Sequence, residues 1–198
     1  MGKGADTRQR ILDLAFRLAA RDGLQGLSLG ALAGEMGVSK SGLFAHFRSK
    51  QELEVETLRT AASRFIEQVL RPAFQKPRGL PRLRAIVERW LRWGADPALP
   101  GGCLFVQAAA ELDDHPGPAR DYLVESQREL LATLARSARL AVEEGHFRAD
   151  LDCQQFAFEL QGLVLAFSHA RRLLRDPKAE RRARAGFERL VRLAQPLS

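Results

Sequence analysis

The segment Leu27–Lys50, LSLGALAGEMGVSKSGLFAHFRSK, constrains the fold more than any other stretch of the chain. Leu29, Leu32, Ala33 and Met36 stand at i, i+3, i+4 and i+7, one apolar face of a helix, and Ser28 is placed to cap its start. Gly37 follows where a left-handed residue closes a helix. Val38 is placed to fold back onto the core, and Ser39 to cap a second helix at once. In that second helix Leu43 and Phe47, four apart, point inward. Lys40, Ser41, Phe44, Ala45 and His46 are left outward near a helix start, where backbone N–H groups and the dipole favour an anion. Such a pair has the layout of a helix-turn-helix whose second helix enters a major groove.

The rest of the chain reads as helices around this unit. A first helix over about Thr7 to Arg21 carries the stripe Ile11, Leu14, Ala15 and Leu18, and Gly23 ends it. Lys3, Arg8 and Arg10 lie before or on its first turns, against the helix dipole, a placement that suits approaching phosphates. Ser49 and Glu52 form a capping box that opens a helix running through Leu58, Phe65, Ile66 and Val69 to Pro72, with Lys50 in its first turn. After the turn-rich QKPRGLP, a helix over Leu83 to Trp93 carries Trp90 and Trp93. Cys103 to Leu112 is a short apolar helix whose polar members are Gln107 and Glu111, and a long helix runs from about Ala119 to Glu144, closed by Gly145.

Asp152, with Gln155 in the capping-box position, opens a helix that is apolar on two sides. Phe156, Leu160, Leu163, Val164 and Phe167 make one face, and Ala157, Phe158, Leu165 and Ala166 make much of the rest apolar. Two burials are needed: one in its own domain, the other against a second copy of the chain. Asp176-Pro177 starts a last helix with Phe187, Leu190, Val191 and Ala194 on one face. Two antiparallel helices from each subunit give a four-helix homodimer interface, with Phe158, Leu165, Phe187, Leu190, Val191 and Ala194 expected in it.

From about Thr7 to Leu53 the sequence resembles the DNA-binding domain of the TetR (tetracycline-repressor) family of bacterial regulators, carried by GVSKSGLFAHFRSK followed by QEL. The whole chain also has that family's length and helical layout. The resemblance implies an all-α fold: a three-helix DNA-binding domain with a helix-turn-helix over residues 1–48, and a C-terminal helical ligand-binding and dimerisation domain over 49–198. It implies a repressor that binds a palindromic double-stranded DNA operator as a homodimer and is released by a small effector. The DNA-contacting set carried over is Ser28, Ser39, Lys40, Ser41, Gly42, Phe44, Ala45, His46 and Lys50. Two positions depart from the family pattern: Phe44 stands where a tyrosine is usual and Gly30 where an arginine is frequent, which shifts base readout towards Lys40 and Ser41. Gly30 inside a helix costs about 1 kcal/mol relative to alanine.

Charge distribution agrees with that reading. The net charge is +7; residues 1–50 hold eight Lys/Arg against four Asp/Glu, and residues 171–198 hold nine against three. The first excess fits a DNA-facing surface, and the second is either a solvated helix face or a second anionic contact. No run of eighteen apolar residues suggests a membrane span, and the opening MGKGADTRQR lacks the apolar core of a signal peptide, so a cytoplasmic protein, on the nucleoid when DNA-bound, is expected.

Against catalysis stand the four histidines, no two of them at metal-ligand spacing, and the want of a phosphate loop or a Cys–His nucleophile pattern. No metal and no cofactor is expected. The remaining alternatives are an enzyme of unrecognised chemistry and a basic helical scaffold. Phe65, Val69, Trp90, Trp93, Cys103, Phe105 and Gln107 are the candidate wall of an apolar effector cavity with one polar contact, weighed against plain core packing. Cys103 has two readings: a packed small hydrophobe, or a thiol at a helix start acting as a redox or electrophile sensor.

Overall fold

The computed structural model describes residues 3–99 and 102–196, with side chains for all of these except residues 3–5, 40 and 44. In chain order it contains α1 (Lys3–Asp22), α2 (Leu29–Met36), α3 (Lys40–Phe44), α4 (Lys50–Phe65), a π-helical turn (Ile66–Leu70), α5 (Arg71–Phe74), α6 (Leu80–Ala95), α7 (Leu104–Leu112), α8 (Pro118–Glu143), α9 (Cys153–Arg172) and α10 (Ala179–Ala194). Among the described residues there is no strand, and no helix is long and apolar enough to cross a membrane. The expected all-α class stands.

Contacts divide the chain into two compact units, one of residues 1–64 with 96–126, the other of residues 65–95 with 127–198. This division differs from the sequence-based cut at 48/49, because α4 up to Arg64 and the segment carrying α7 pack with the N-terminal helices.

The core of the first unit is built from the stripes that periodicity marks. Ile11, Leu14, Ala15 and Leu18 of α1 enclose Leu32 and Ala33 of α2, Leu43 of α3, Phe47 and Leu53 in one buried cluster. Each fully buried Leu or Phe contributes about 1.5–3 kcal/mol by leaving water. Two arginines fasten α1 to α4 at its edge. Arg8 pairs with Glu56 at 3.0 Å while its guanidinium sits 4.9 Å from the Phe47 ring centre. Arg64 pairs with Asp13 at 2.7 Å and lies 4.5 Å from the Phe16 ring centre. These half-exposed pairs are worth about 0.2–1 kcal/mol each, with a similar increment from each aromatic face.

In the second unit α9 and α10 pack along most of their lengths. Phe156, Leu160, Val164 and Phe167 of α9 are buried with Ala183, Phe187, Leu190, Val191 and Ala194 of α10. Asp152 caps α9 as expected, accepting from the Gln154 and Gln155 amides at 2.9 and 3.0 Å. Gln155 turns forward to Glu159 instead of back to the cap, so the box is half made. The last helix opens at Ala179, after a turn in which the Asp176 carboxylate takes the Lys178 amide, and not at Pro177.

The helix from Ser49 does not stop at Pro72. Proline lacks the N–H that an α-turn needs and its ring crowds the carbonyl four residues earlier, so the backbone widens ahead of it. The Arg71 amide reaches back five residues to the Ile66 carbonyl, and helix resumes through Phe74.

Candidate nucleic-acid interface

The turn between α2 and α3 forms as its residues dictate. Gly37 takes the left-handed conformation (φ 65°), and the Val38 amide closes on the Ala33 carbonyl at 3.1 Å. Ser28 and Ser39 are the N-caps, their hydroxyls accepting from the Ala31 and Gly42 amides, each at 3.1 Å. Val38 departs from expectation. It is 41% exposed, outside the buried cluster that Leu27, Leu32, Leu43 and Phe47 make.

What α3 leaves outward is a polar, small-residue surface. Ser39, Ser41, Gly42 and Ala45 are exposed and His46 is half-buried, while Leu43 and Phe47 on the opposite side are fully buried. The Ser39 and Ser41 hydroxyls stand 3.0 Å apart. The side chains of Lys40 and Phe44, and that of Lys3, lie outside the described residues.

Lys50 sits at the start of α4 among internal partners. Its ammonium donates to the Gln25 carbonyl at 2.9 Å and stands 3.5 Å from the Glu54 carboxylate. Burial pushes the Glu54 carboxyl above its ordinary value, and the Lys50 charge partly offsets that. Ser49 accepts from the Glu52 amide at 3.1 Å, but the Glu52 carboxylate reaches the Arg48 amide at 2.8 Å, one residue earlier than a standard capping box requires. Arg8, expected near phosphate, is engaged with Glu56 and Phe47.

A second feature of this unit was not anticipated. Glu111, at the end of α7, accepts from the Gln25 amide at 2.8 Å, and the Gln25 side-chain amide donates back to the Glu111 carbonyl at 2.9 Å. Gly23 makes room for this clasp: its φ is +87°, and a Cβ built there would lie 2.3 Å from the Glu111 carboxylate. Glu111, Gln25 and Lys50 therefore form one chain of contacts from α7 through the α1–α2 loop to the start of α4. The sequence signal was Glu111 itself, the charged residue of a helix whose other polar member is Gln107.

The candidate effector residues divide. Phe65 meets Trp90 and Trp93 edge-on, with ring centres 5.5 and 6.0 Å apart, and Val69 is fully buried in the same unit. Cys103, Phe105 and Gln107 belong to the other unit. Cys103 is 8% exposed at the N-cap of α7, which supports the packing reading over the thiol sensor. Cys153 is equally buried, and that burial raises its thiol pKa. Among the described residues no group of three or more His, Cys, Asp and Glu could hold a metal ion.

The expected interface residues also divide. Phe158 and Leu165 lie open on α9, 66% and 46% exposed. Phe187, Leu190, Val191 and Ala194 are at most 8% exposed, packed within their own unit. The large apolar side chain that α10 leaves open is Leu193, 66% exposed. A single apolar stripe on a sequence does not say which of two burials it serves.

Comparison with known proteins places both parts of the chain. Residues 11–57 match the family described as bacterial regulatory proteins, tetR family, and residues 79–187 match the tetracyclin repressor-like C-terminal domain. Over 48 residues the chain is 42% identical to the HTH-type transcriptional regulator AcrR of Shigella flexneri, covering 24% of this chain and 22% of that one. Over 84 residues it is 32% identical to the HTH-type nicotine-responsive transcriptional repressor HdnoR of Paenarthrobacter nicotinovorans, covering 42% and 41%. The chain thus spans well under two thirds of the curated relatives it matches. Its fold is similar to that of SCO4454, a TetR-family transcriptional regulator from Streptomyces coelicolor, with TM-score 0.84, 22% identity and 97% of each chain covered.

Proposed function

The chain belongs to the TetR family of bacterial regulators, and from that premise we propose that it is a ligand-responsive transcriptional repressor, binding a palindromic DNA operator as a homodimer in the cytoplasm. Residues 1–48 read DNA, and residues 49–198 hold the effector and the dimer contacts. The observation that carries this reading is the helix-turn-helix itself: α3 is anchored by fully buried Leu43 and Phe47, with Ser39, Ser41, Gly42 and Ala45 exposed on the other side. Lys40 and Ser41 read base edges; His46, Lys50 and the capping serines with Phe44 position the helix on phosphate and sugar. Lys50 exchanges its Gln25 and Glu54 contacts for phosphate when DNA arrives.

The effector is a small, mainly apolar molecule that packs against Phe65, Val69, Trp90 and Trp93. The nicotine-responsive relative supports a small-molecule effector. Release from DNA runs through α4, the helix that begins at Lys50 and ends at Phe65 of the aromatic cluster. An effector acts only as far as it binds the two conformations with different affinity, and a tenfold loss of operator affinity needs about 1.4 kcal/mol.

A gel-shift titration with the DNA flanking the chain's own gene tests the reading. Saturable binding that unrelated competitor DNA does not remove is the expected result. Binding that any duplex competes away equally would leave a basic helical protein without an operator.

A further inference from the structure

The α6 and α10 helices of the second unit are joined by a reciprocal pair of ion bridges. Arg84 of α6 grips Glu188 of α10 through both guanidinium nitrogens, one at 2.9 Å, and Arg184 of α10 grips Glu88 of α6 in the same way, one at 3.1 Å. Arg184 also holds Glu180 at 2.8 Å, and Arg92 holds Glu88 at 2.7 Å. Three guanidinium groups thus face three carboxylates. The Arg184 contact holds the Glu88 carboxyl below its ordinary range. These bridges account for the clamp between the helices without any ligand.

Two cations in the same groove lie outside that balance. Arg89 and Lys76 line it, and among the described residues neither has a carboxylate partner. Arg89 is half-buried, and its described contact is a long one, 3.5 Å to the Gln68 carbonyl that Pro72 has no N–H to cap. A guanidinium carries five N–H donors, so most of this one's capacity is open. Ala85, Val87 and Phe187 also line the groove, the last two showing it only a narrow edge (5% and 4% exposed), and its volume is about 470 Å³. That volume suits a drug-sized ligand. Unpartnered cations in a groove that also has apolar lining match a molecule with a negative head and a short apolar body.

We propose that the groove between α6 and α10 binds an amphiphilic anion, a carboxylate or phosphate monoester on a short apolar chain, with Arg89 and Lys76 holding the head and the apolar lining taking the body. This site is separate from the aromatic cluster proposed for the effector and does not depend on the regulatory reading. Calorimetric titration of the full-length protein with octanoate, octyl phosphate, octanol and inorganic phosphate tests it. One of the two amphiphilic anions should bind at one per chain, and which of them binds more tightly identifies the head group. Octanol and inorganic phosphate should each bind about tenfold or more weakly than that anion, since each lacks half of the match.

The Arg89→Gln/Lys76→Gln variant should lose about tenfold or more in affinity for the anion. Ala85→Trp fills the groove with all cations in place and should abolish binding, so the two variants separate charge from space. Far-UV circular dichroism of each confirms folding. Octanol binding as tightly as the anions, an affinity unchanged in both variants, or no binding of either amphiphile would overturn the proposal.

Discussion

Alanine at position 23 should damage the α7 clasp through a contact that the wild-type chain avoids only by lacking a side chain. Two costs add there. A left-handed φ of +87° is strained for any residue with a Cβ, by about 1–2 kcal/mol. The new Cβ would also stand 2.3 Å from the Glu111 carboxylate, which has to leave and give up its 2.8 Å bond from the Gln25 amide. A hydrogen bond to a charged group is worth about 1.5–3 kcal/mol, and this one is partly exposed, so about 1–2 kcal/mol is the fair figure.

Gly23→Ala alone should therefore cost about 2–4 kcal/mol. Glu111→Ala alone should cost about 1–2 kcal/mol, and the double variant about the same as Gly23→Ala, since the lost bond is counted only once. The interaction term is then about 1–2 kcal/mol. Urea denaturation of the four proteins, followed by far-UV circular dichroism, measures the cycle, with hydrogen exchange at the Gln25 amide as a local readout. Additivity of the single changes to within about 0.5 kcal/mol would refute the clasp as the reason for glycine at this position.

Other outcomes follow from the same geometry. Lys40→Ala should relax preference at one half-site position at a cost of about 1–3 kcal/mol, whereas Lys50→Ala should weaken all sequences alike and lower the salt slope by about one per site; identical profiles in competition gel shifts would undo the assignment. Phe158→Glu, on the open face of α9, should yield a folded monomer in sedimentation that has lost tight operator binding, and a wild-type monomer at micromolar concentration would end the dimer reading. Glu88 has a folded pKa below its ordinary 4.5, so its contribution is present above that value and lost as pH falls through the lowered one. The melting difference between wild type and Glu88→Gln should accordingly be full near neutrality and shrink in acid; a difference independent of pH would contradict it.

How much of this was legible in the sequence depended on whether a residue's role is local. The caps at Ser28, Ser39 and Asp152 and the turn at Gly37 are settled within four residues of chain, and they formed as read. The stripes on α1, α2 and α9 entered the core because period and burial coincide there. Partners far apart in sequence were not legible. Nothing local tells that Arg8 meets Glu56, that Glu111 holds Gln25, or that the apolar stripe of α10 is buried within its own unit. Val38 failed for the same reason: whether an apolar residue folds inward depends on its distant neighbours, and this one stays outside the cluster. Pro72 misled in the opposite way, since a rule that ends helices allowed for no wider turn.

That wider turn bears on how the chain can change in length. A π-turn holds one residue more than the α-turn it replaces, so removing Glu67 or Gln68 should give an ordinary turn and leave the helix beyond it in register. In an ordinary turn, however, the Pro72 ring would run into the carbonyl four residues back, at a cost of about 3 kcal/mol or more. Loss of a residue here and replacement of Pro72 are thus tolerable together or in one order only, proline first. A lineage that has lost the wide turn should have lost the proline before it.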